Sequence, residues 1–288
     1  MTIASRRDFL KIAGAAAVIA GAGTAEARTL KMPPGLELYS VHDMLPKDYQ
    51  GTLNQVHAAG YSVVEAAGYF NHSAADVRSA MSNAGLRCIS AHYSLLLLTQ
   101  QLDSIITYAQ ALGLEYIICS SSDGMHRDPN AHGEAATLDD WHWRIDQFNS
   151  IGKKVKAAGM TFGLHNHTPE FATIDGVLVY DEFMKLTDPS YVTLQMDCGW
   201  VYDSGHSPAE FIARDPSRFQ LLHIKDMILV PGSSEPKLTV MGNGNIDYKP
   251  ILRAATHLKY YFIEQEAFDG DPWVEMRADA DYMNHFNY

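Results

Sequence analysis

An α/β fold, a single (β/α)8 TIM barrel over residues 28–288, is what this 288-residue sequence predicts. Three observations carry the prediction. Short apolar, β-rich runs alternate with longer runs of helical period, which is the mark of βα units on a parallel sheet. Eight such pairs follow one another. No Pro-, Ser- or charge-rich linker interrupts them, so nothing in the chain suggests a second domain.

In chain order the expected strands cover 36–41, 62–66, 88–93, 116–120, 161–167, 192–198, 220–225 and 260–266. The expected helices cover 51–59, 74–84, 97–112, 138–158, 179–186, 208–212, 248–257 and 273–286. Gly60, Gly85, Gly113 and Gly159 each follow a periodic run, where a left-handed residue closes a helix. An open doubly wound sheet is the competing architecture, but no G-x-G-x-x-G follows the first strand. Gly242-Asn243-Gly244 comes after the seventh strand and suits a βα loop better than a dinucleotide cradle.

Residues 1–27 read as an address preceding the barrel. Arg6-Arg7 stands before an Ala- and Gly-rich apolar run, and Ala25-Glu26-Ala27 offers a cleavage site. Together they resemble a twin-arginine signal peptide, which implies export to the periplasm with no stable membrane insertion after cleavage. The competing reading is an uncleaved membrane anchor. A formal net charge of −12 excludes the electrostatic footprint of a nucleic-acid binder. Cys88, Cys119 and Cys198 fall in or beside strands with no metal-knuckle spacing, so buried thiols are expected.

A barrel presents its chemistry at the C-terminal ends of its strands. Those ends carry Tyr39 and Ser40, Glu65, His92, His165 and His167, Asp197, His223 and Lys225, and Glu264 and Glu266. Asp197, His223 and Glu264 lie on successive late strands about 4.8 Å apart, close enough to converge on one ion. A mixed O/N set suits Mn, Mg, Co or Zn without choosing among them. Each residue alone could be a satisfied polar group at the rim, but charges buried together at one end of a core require partners or an ion.

These residues sit in strings that resemble the xylose isomerase-like barrel family, in its sugar phosphate isomerase/epimerase branch. The strings are Gly60-Tyr61-Ser62-Val63-Val64-Glu65, Leu164-His165-Asn166-His167-Thr168-Pro169-Glu170-Phe171, Met196-Asp197-Cys198-Gly199-Trp200-Val201, His223-Ile224-Lys225-Asp226 and Ile263-Glu264-Gln265-Glu266. The resemblance implies one divalent metal held by a Glu, an Asp, a His and a second Glu from strands five to eight. Asp197, His223 and Glu264 match three of these. At the fifth strand a histidine stands where the family has a glutamate, so His165, His167 or a folded-back Glu170 is the expected fourth ligand. That departure counts against the two-glutamate epimerase mechanism.

The expected function is a divalent-metal-dependent isomerase or epimerase acting on a sugar or keto-sugar through an enediolate. A lyase or dehydratase of a keto-sugar or 3-keto-glycoside, and a non-catalytic carbohydrate-binding barrel, are the alternatives; an endonuclease IV-type activity is opposed by the acidic charge and the export signal. His165 or His167 is expected to act as base, Lys225 to hold an oxyanion or pair with Asp226 or Glu264, and Glu266 to share the acid/base work. Glu65 and His92 would face the substrate or stand behind the ligands, with Glu170 and Trp200 also at the substrate. Tyr39, Tyr93, Phe171 and Trp200 could floor a sugar or simply pack the mouth. An exported enzyme favours an unphosphorylated carbohydrate, and the partners expected are that small molecule and at most further copies of the chain.

Overall fold

The computed structural model describes residues 28–131, 133–230 and 236–288, so the expected signal peptide lies outside the described residues. Eight strands close into a barrel in strict chain order, every neighbouring pair parallel. They are β1 (Gly35–Glu37), β2 (Val63–Ala66), β3 (Arg87–Ser94), β4 (Tyr116–Ser121), β5 (Thr161–His165), β6 (Val192–Asp197), β7 (Leu221–Ile224) and β8 (Tyr260–Ile263). Among the described residues nine α-helices accompany them: α1 (Tyr49–Ala58), α2 (Ala74–Ala84), α3 (Leu95–Leu112), α4 (Leu138–Ala157), α5 (Val179–Leu186), α6 (Cys198–Asp203), α7 (Pro208–Arg214), α8 (Tyr248–Ala254) and α9 (Pro272–Asn284). Among the described residues no helix is long and apolar enough to cross a membrane.

The helix boundaries have local causes. Side chains of Ser73, Ser94, Thr137 and Asp271 accept the first free N–H groups of α2, α3, α4 and α9. Gly85 and Gly113 close α2 and α3 with φ of 76° and 86°, as their positions in the sequence anticipate. Several expected strands prove shorter. Leu38–Val41 turns into a 3-10 helix because the Glu37 carboxylate accepts the Tyr39 N–H, which lifts Tyr39 and Ser40 off the strand. His167 stands outside β5, at the start of a second 3-10 turn, Thr168–Phe171, so it and His165 do not share a strand face. Helix α6 and the hairpin Asp226–Ile228 with Lys237–Thr239 have no counterpart in the expected pattern.

Alternation along the strands separates two cores. Leu36, Val64, Ile117, Phe162, Leu194, Leu222 and Tyr261 point outward and are buried against the helices. Val63, Ile89, Tyr116, Ile118, Leu221 and Phe262 point inward and form an apolar plug. Gly35 and Gly163 make room for that plug: a Cβ at either would meet Phe262 or Ile118 at 2.7 Å. Above the plug the inward positions turn polar. Register sets Glu37 beside Glu65, His165 beside Gln195, and Asp197 beside His223. The three cysteines are buried and unpaired, as expected.

Phe162 is fully buried in the outer core against Phe148, whereas Val274 is 65% exposed. Phe162→Ala is expected to cost about 3–5 kcal/mol in urea denaturation. Val274→Ala is expected to stay within about 0.5 kcal/mol. Equal effects of the two would contradict this packing.

Candidate active site

Glu65 is the centre of the polar layer. Its carboxylate is inaccessible to water and accepts from Gln195 Nε2 at 2.9 Å, from His223 Nε2 at 2.6 Å and lies 2.8 Å from His92 Nε2. Burial alone would raise its pKa, but His92 and His223 reverse this and hold it well below the usual carboxylate range. Beside it, Glu37 has a buried oxygen, Oε2, without a hydrogen-bond partner. Burial and the Glu65 charge push the pKa of Glu37 well above the usual carboxylate range.

These contacts assign the imidazole tautomers. Because Gln195 gives its amide N–H groups to Glu65, its Oε1 is left as an acceptor for His92 Nε2 at 2.9 Å and His165 Nδ1 at 3.1 Å. His165 therefore carries its proton on Nδ1 and turns the Nε2 lone pair toward Asp197 Oδ2, 3.8 Å away. Burial, with His223, His167 and His92 nearby, keeps His165 neutral. His223 donates Nε2–H to Glu65 and sets Nδ1 3.0 Å from Glu264 Oε2. Burial opposes its protonation, yet the bonds to Glu264 and Glu65 raise its pKa to about 9. A divalent ion at Nδ1 would stand where that second proton sits.

The residues fit a metal. One ligand atom each from His165, Asp197, His223 and Glu264 lies within 4.8 Å of the others, near the span of an ion with bonds of about 2.0–2.2 Å. Asp197 is also the N-cap of α6, where Oδ1 accepts the Trp200 N–H at 3.0 Å. That leaves Oδ2, which is buried and makes no hydrogen bond. A buried carboxylate oxygen that makes no directed hydrogen bond and faces an imidazole lone pair suits a cation.

Lys225 follows β7 and is 1% exposed. Its Nζ hydrogen-bonds Glu266 at 2.6 Å and lies 3.0 Å from Asp197 Oδ2, 2.9 Å from Glu264 Oε2 and 4.6 Å from the centre of the Trp200 ring. The anticipated pairing with Glu264 is therefore present. The one with Asp226 is not, because the Asp226 carboxylate turns to the Gly242 and Gly244 N–H groups and shapes that loop. Burial would discharge Lys225, but Asp197, Glu264 and Glu266 hold it protonated.

A cavity of about 470 Å³ opens above this layer, lined among others by Tyr39, His92, Tyr93, His165, His167, Glu264 and Glu266. A second, about 850 Å³, adjoins it through Glu266 and is lined by Trp200, Leu238 and Phe268. Burial keeps His167 neutral and raises the pKa of Glu266 despite the neighbouring Lys225.

Position decides between the alternatives left open at three residues. Glu65 does not face substrate: it lies behind His223 and His92, fully buried. Glu170 does not fold back to the ligands, because its carboxylate accepts the His167 N–H at 2.8 Å inside the turn that follows β5. Phe171 is buried against Tyr180 and Phe211 and so packs under the rim and does not floor the cavity. Gln195 and Glu37 were missed. Gln195 shares the inward face with Asp197, two residues on, a signal that the period of two along β6 carries.

A family model for the xylose isomerase-like TIM barrel matches residues 53–285. The chain is 24% identical over 256 residues to an inosose dehydratase of Geobacillus kaustophilus, covering 80% of this chain and 79% of the relative. A solved sugar phosphate isomerase/epimerase of Parabacteroides distasonis superposes with a TM-score of 0.71 at 28% identity, over 87% of this chain and 96% of that one. The IOLI protein, solved with a zinc atom, shares the fold at TM-score 0.65 and 13% identity, over 88% and 95% of the two chains.

Glu170 supplies a pH signature. Burial raises its pKa to about 7 from an ordinary 4.5. The folded state then holds a proton that the unfolded state loses, so this contribution to stability is complete below about pH 4.5 and is lost as pH rises to about 7. Glu170→Gln keeps an acceptor for His167 N–H and is expected to flatten that part of the stability profile, gaining roughly 1–3 kcal/mol at pH 8 relative to pH 4.5. A profile that is superimposable on the parent would refute the assignment.

Proposed function

The chain belongs to the xylose isomerase-like TIM barrel family, and from that premise we propose a divalent-metal-dependent enzyme that removes the proton beside the carbonyl of a sugar or keto-sugar. The observation that supports it most directly is the convergence of His165, Asp197, His223 and Glu264 under a cavity lined also by a neutral His167 and by Glu266, which pairs with the buried Lys225. A bound divalent ion supplies Lewis-acid polarisation of the carbonyl and of an adjacent hydroxyl.

The chain's own groups then have separable tasks. His167, neutral through burial and lining the cavity, takes the proton. The Lys225 ammonium offsets negative charge that develops on the substrate oxygen. Glu266, whose pKa burial raises, lines the cavity and returns a proton. Returned to the neighbouring carbon, that proton completes an isomerisation or epimerisation. Delivered to a departing hydroxyl, it completes an elimination.

The elimination reading has specific support. The relatives named inosose dehydratase are lyases by name, and β5 presents His165 where a two-carboxylate epimerase would present its second acid/base group. The twin arginine and the Ala25-Glu26-Ala27 string further support an exported enzyme and hence an unphosphorylated substrate.

Two measurements test this. Metal analysis of the purified chain is expected to find about one equivalent of divalent metal, absent from an Asp197→Ala/His223→Ala variant. Incubation with keto-sugars and 3-keto-glycosides in D2O, followed by NMR, is expected to show loss of the α-proton that EDTA abolishes. Product analysis then separates elimination from isomerisation. Calorimetric binding of a carbohydrate with no proton exchange in any of them would leave a binding protein instead.

A further inference from the structure

Lys225 and the ligand set face the same oxygens. Asp197 spends Oδ1 on the α6 cap, so Oδ2 alone is available both to an ion and to the Lys225 ammonium 3.0 Å from it. Glu264 Oε2 likewise lies 3.0 Å from His223 Nδ1 on one side and 2.9 Å from Lys225 Nζ on the other. The lysine stem is seated in a groove that exists through the missing side chain of Gly199; a Cβ there would overlap Lys225 Cγ and approach Cδ at 2.8 Å. Its one directed hydrogen bond goes elsewhere, to Glu266 at 2.6 Å, while the Asp197 and Glu264 contacts are ion contacts.

We propose that Lys225 is a tethered competitor of the metal: its ammonium neutralises Asp197 and Glu264 when the ion is away, holds metal affinity down when the ion arrives, and is transferred by loading to Glu266 alone. The physical basis is simple. Two cations within a few ångströms in a site shielded from water repel strongly, and the same two carboxylates attract either. Loading the ion thereby frees the ammonium from the ligand layer and leaves it beside Glu266, which lines the substrate cavity. The inference rests on the metal reading above and adds to it a role for Lys225 that precedes any substrate.

Titration of the EDTA-treated protein with Mn²⁺ by calorimetry, wild type against Lys225→Met, tests it. The neutral side chain of similar length is expected to tighten Mn²⁺ binding by at least about tenfold. Unchanged or weaker binding by Lys225→Met, with the wild type still binding Mn²⁺, overturns the inference and leaves the metal reading standing. No binding by either protein overturns both. Crystals of the wild type with and without Mn²⁺ provide a second readout that does not depend on how the variant folds. The distance from Nζ to Asp197 Oδ2 is expected to lengthen beyond ion-pair contact on loading while the Glu266 bond persists, and an unchanged distance refutes the proposal.

Discussion

Compensation of buried carboxylates governs everything above the apolar plug. Glu37, Glu65, Asp197, Glu264 and Glu266 all project into the upper barrel, and the first three are wholly removed from water. An uncompensated charge there costs several kcal/mol even after relaxation. The structure answers each in a different way: burial and Glu65 raise the pKa of Glu37, Glu65 is wrapped by Gln195 and two imidazoles, and Asp197, Glu264 and Glu266 meet around Lys225. Magnitudes favour this arrangement over its loss, because removing one partner would strand several charges at once.

The layering makes a reactive rim and a stable base from one periodicity. Each inward face reads apolar at the bottom and ionisable at the top: Val63 then Glu65 on β2, Leu221 then His223 and Lys225 from β7, Phe262 then Glu264 and Glu266 from β8. The plug excludes water from below. The sites that can act are consequently confined to the end that opens on the cavity, and the helix-capping role of Asp197 ties the rim to α6.

The histidine on β5 distinguishes this site from the set of three carboxylates and one histidine that the sequence resemblance implies. Gln195 fixes its tautomer and leaves its Nε2 lone pair facing Asp197, so it fills a ligand position while adding no negative charge. In the proposed reading, that loss of one carboxylate is balanced by the presence of Lys225 in the same layer, which any loaded state must accommodate. The two substitutions of charge belong to one electrostatic arrangement.

The sequence by itself determined the barrel, because periods of two and 3.6 and the glycine stops are local and survive any arrangement of the elements. It also carried the ionisable strand ends, since position in a βα unit predicts the mouth, and Asp197, His223, Glu264 and His165 do converge. Tertiary structure alone decided which of them are exposed to a cavity and which stand behind. Strand register put Glu37 beside Glu65 and Gln195 beside His165, barrel closure brought Glu65 to His223, and turns after β1 and β5 removed Tyr39 and His167 from their strands. Glu37, Gln195 and the contacts of Lys225 with Asp197 and Glu266 were illegible for the same reason. Contacts between residues from 30 to 158 positions apart are set by barrel closure and side-chain compensation, and no local pattern encodes them.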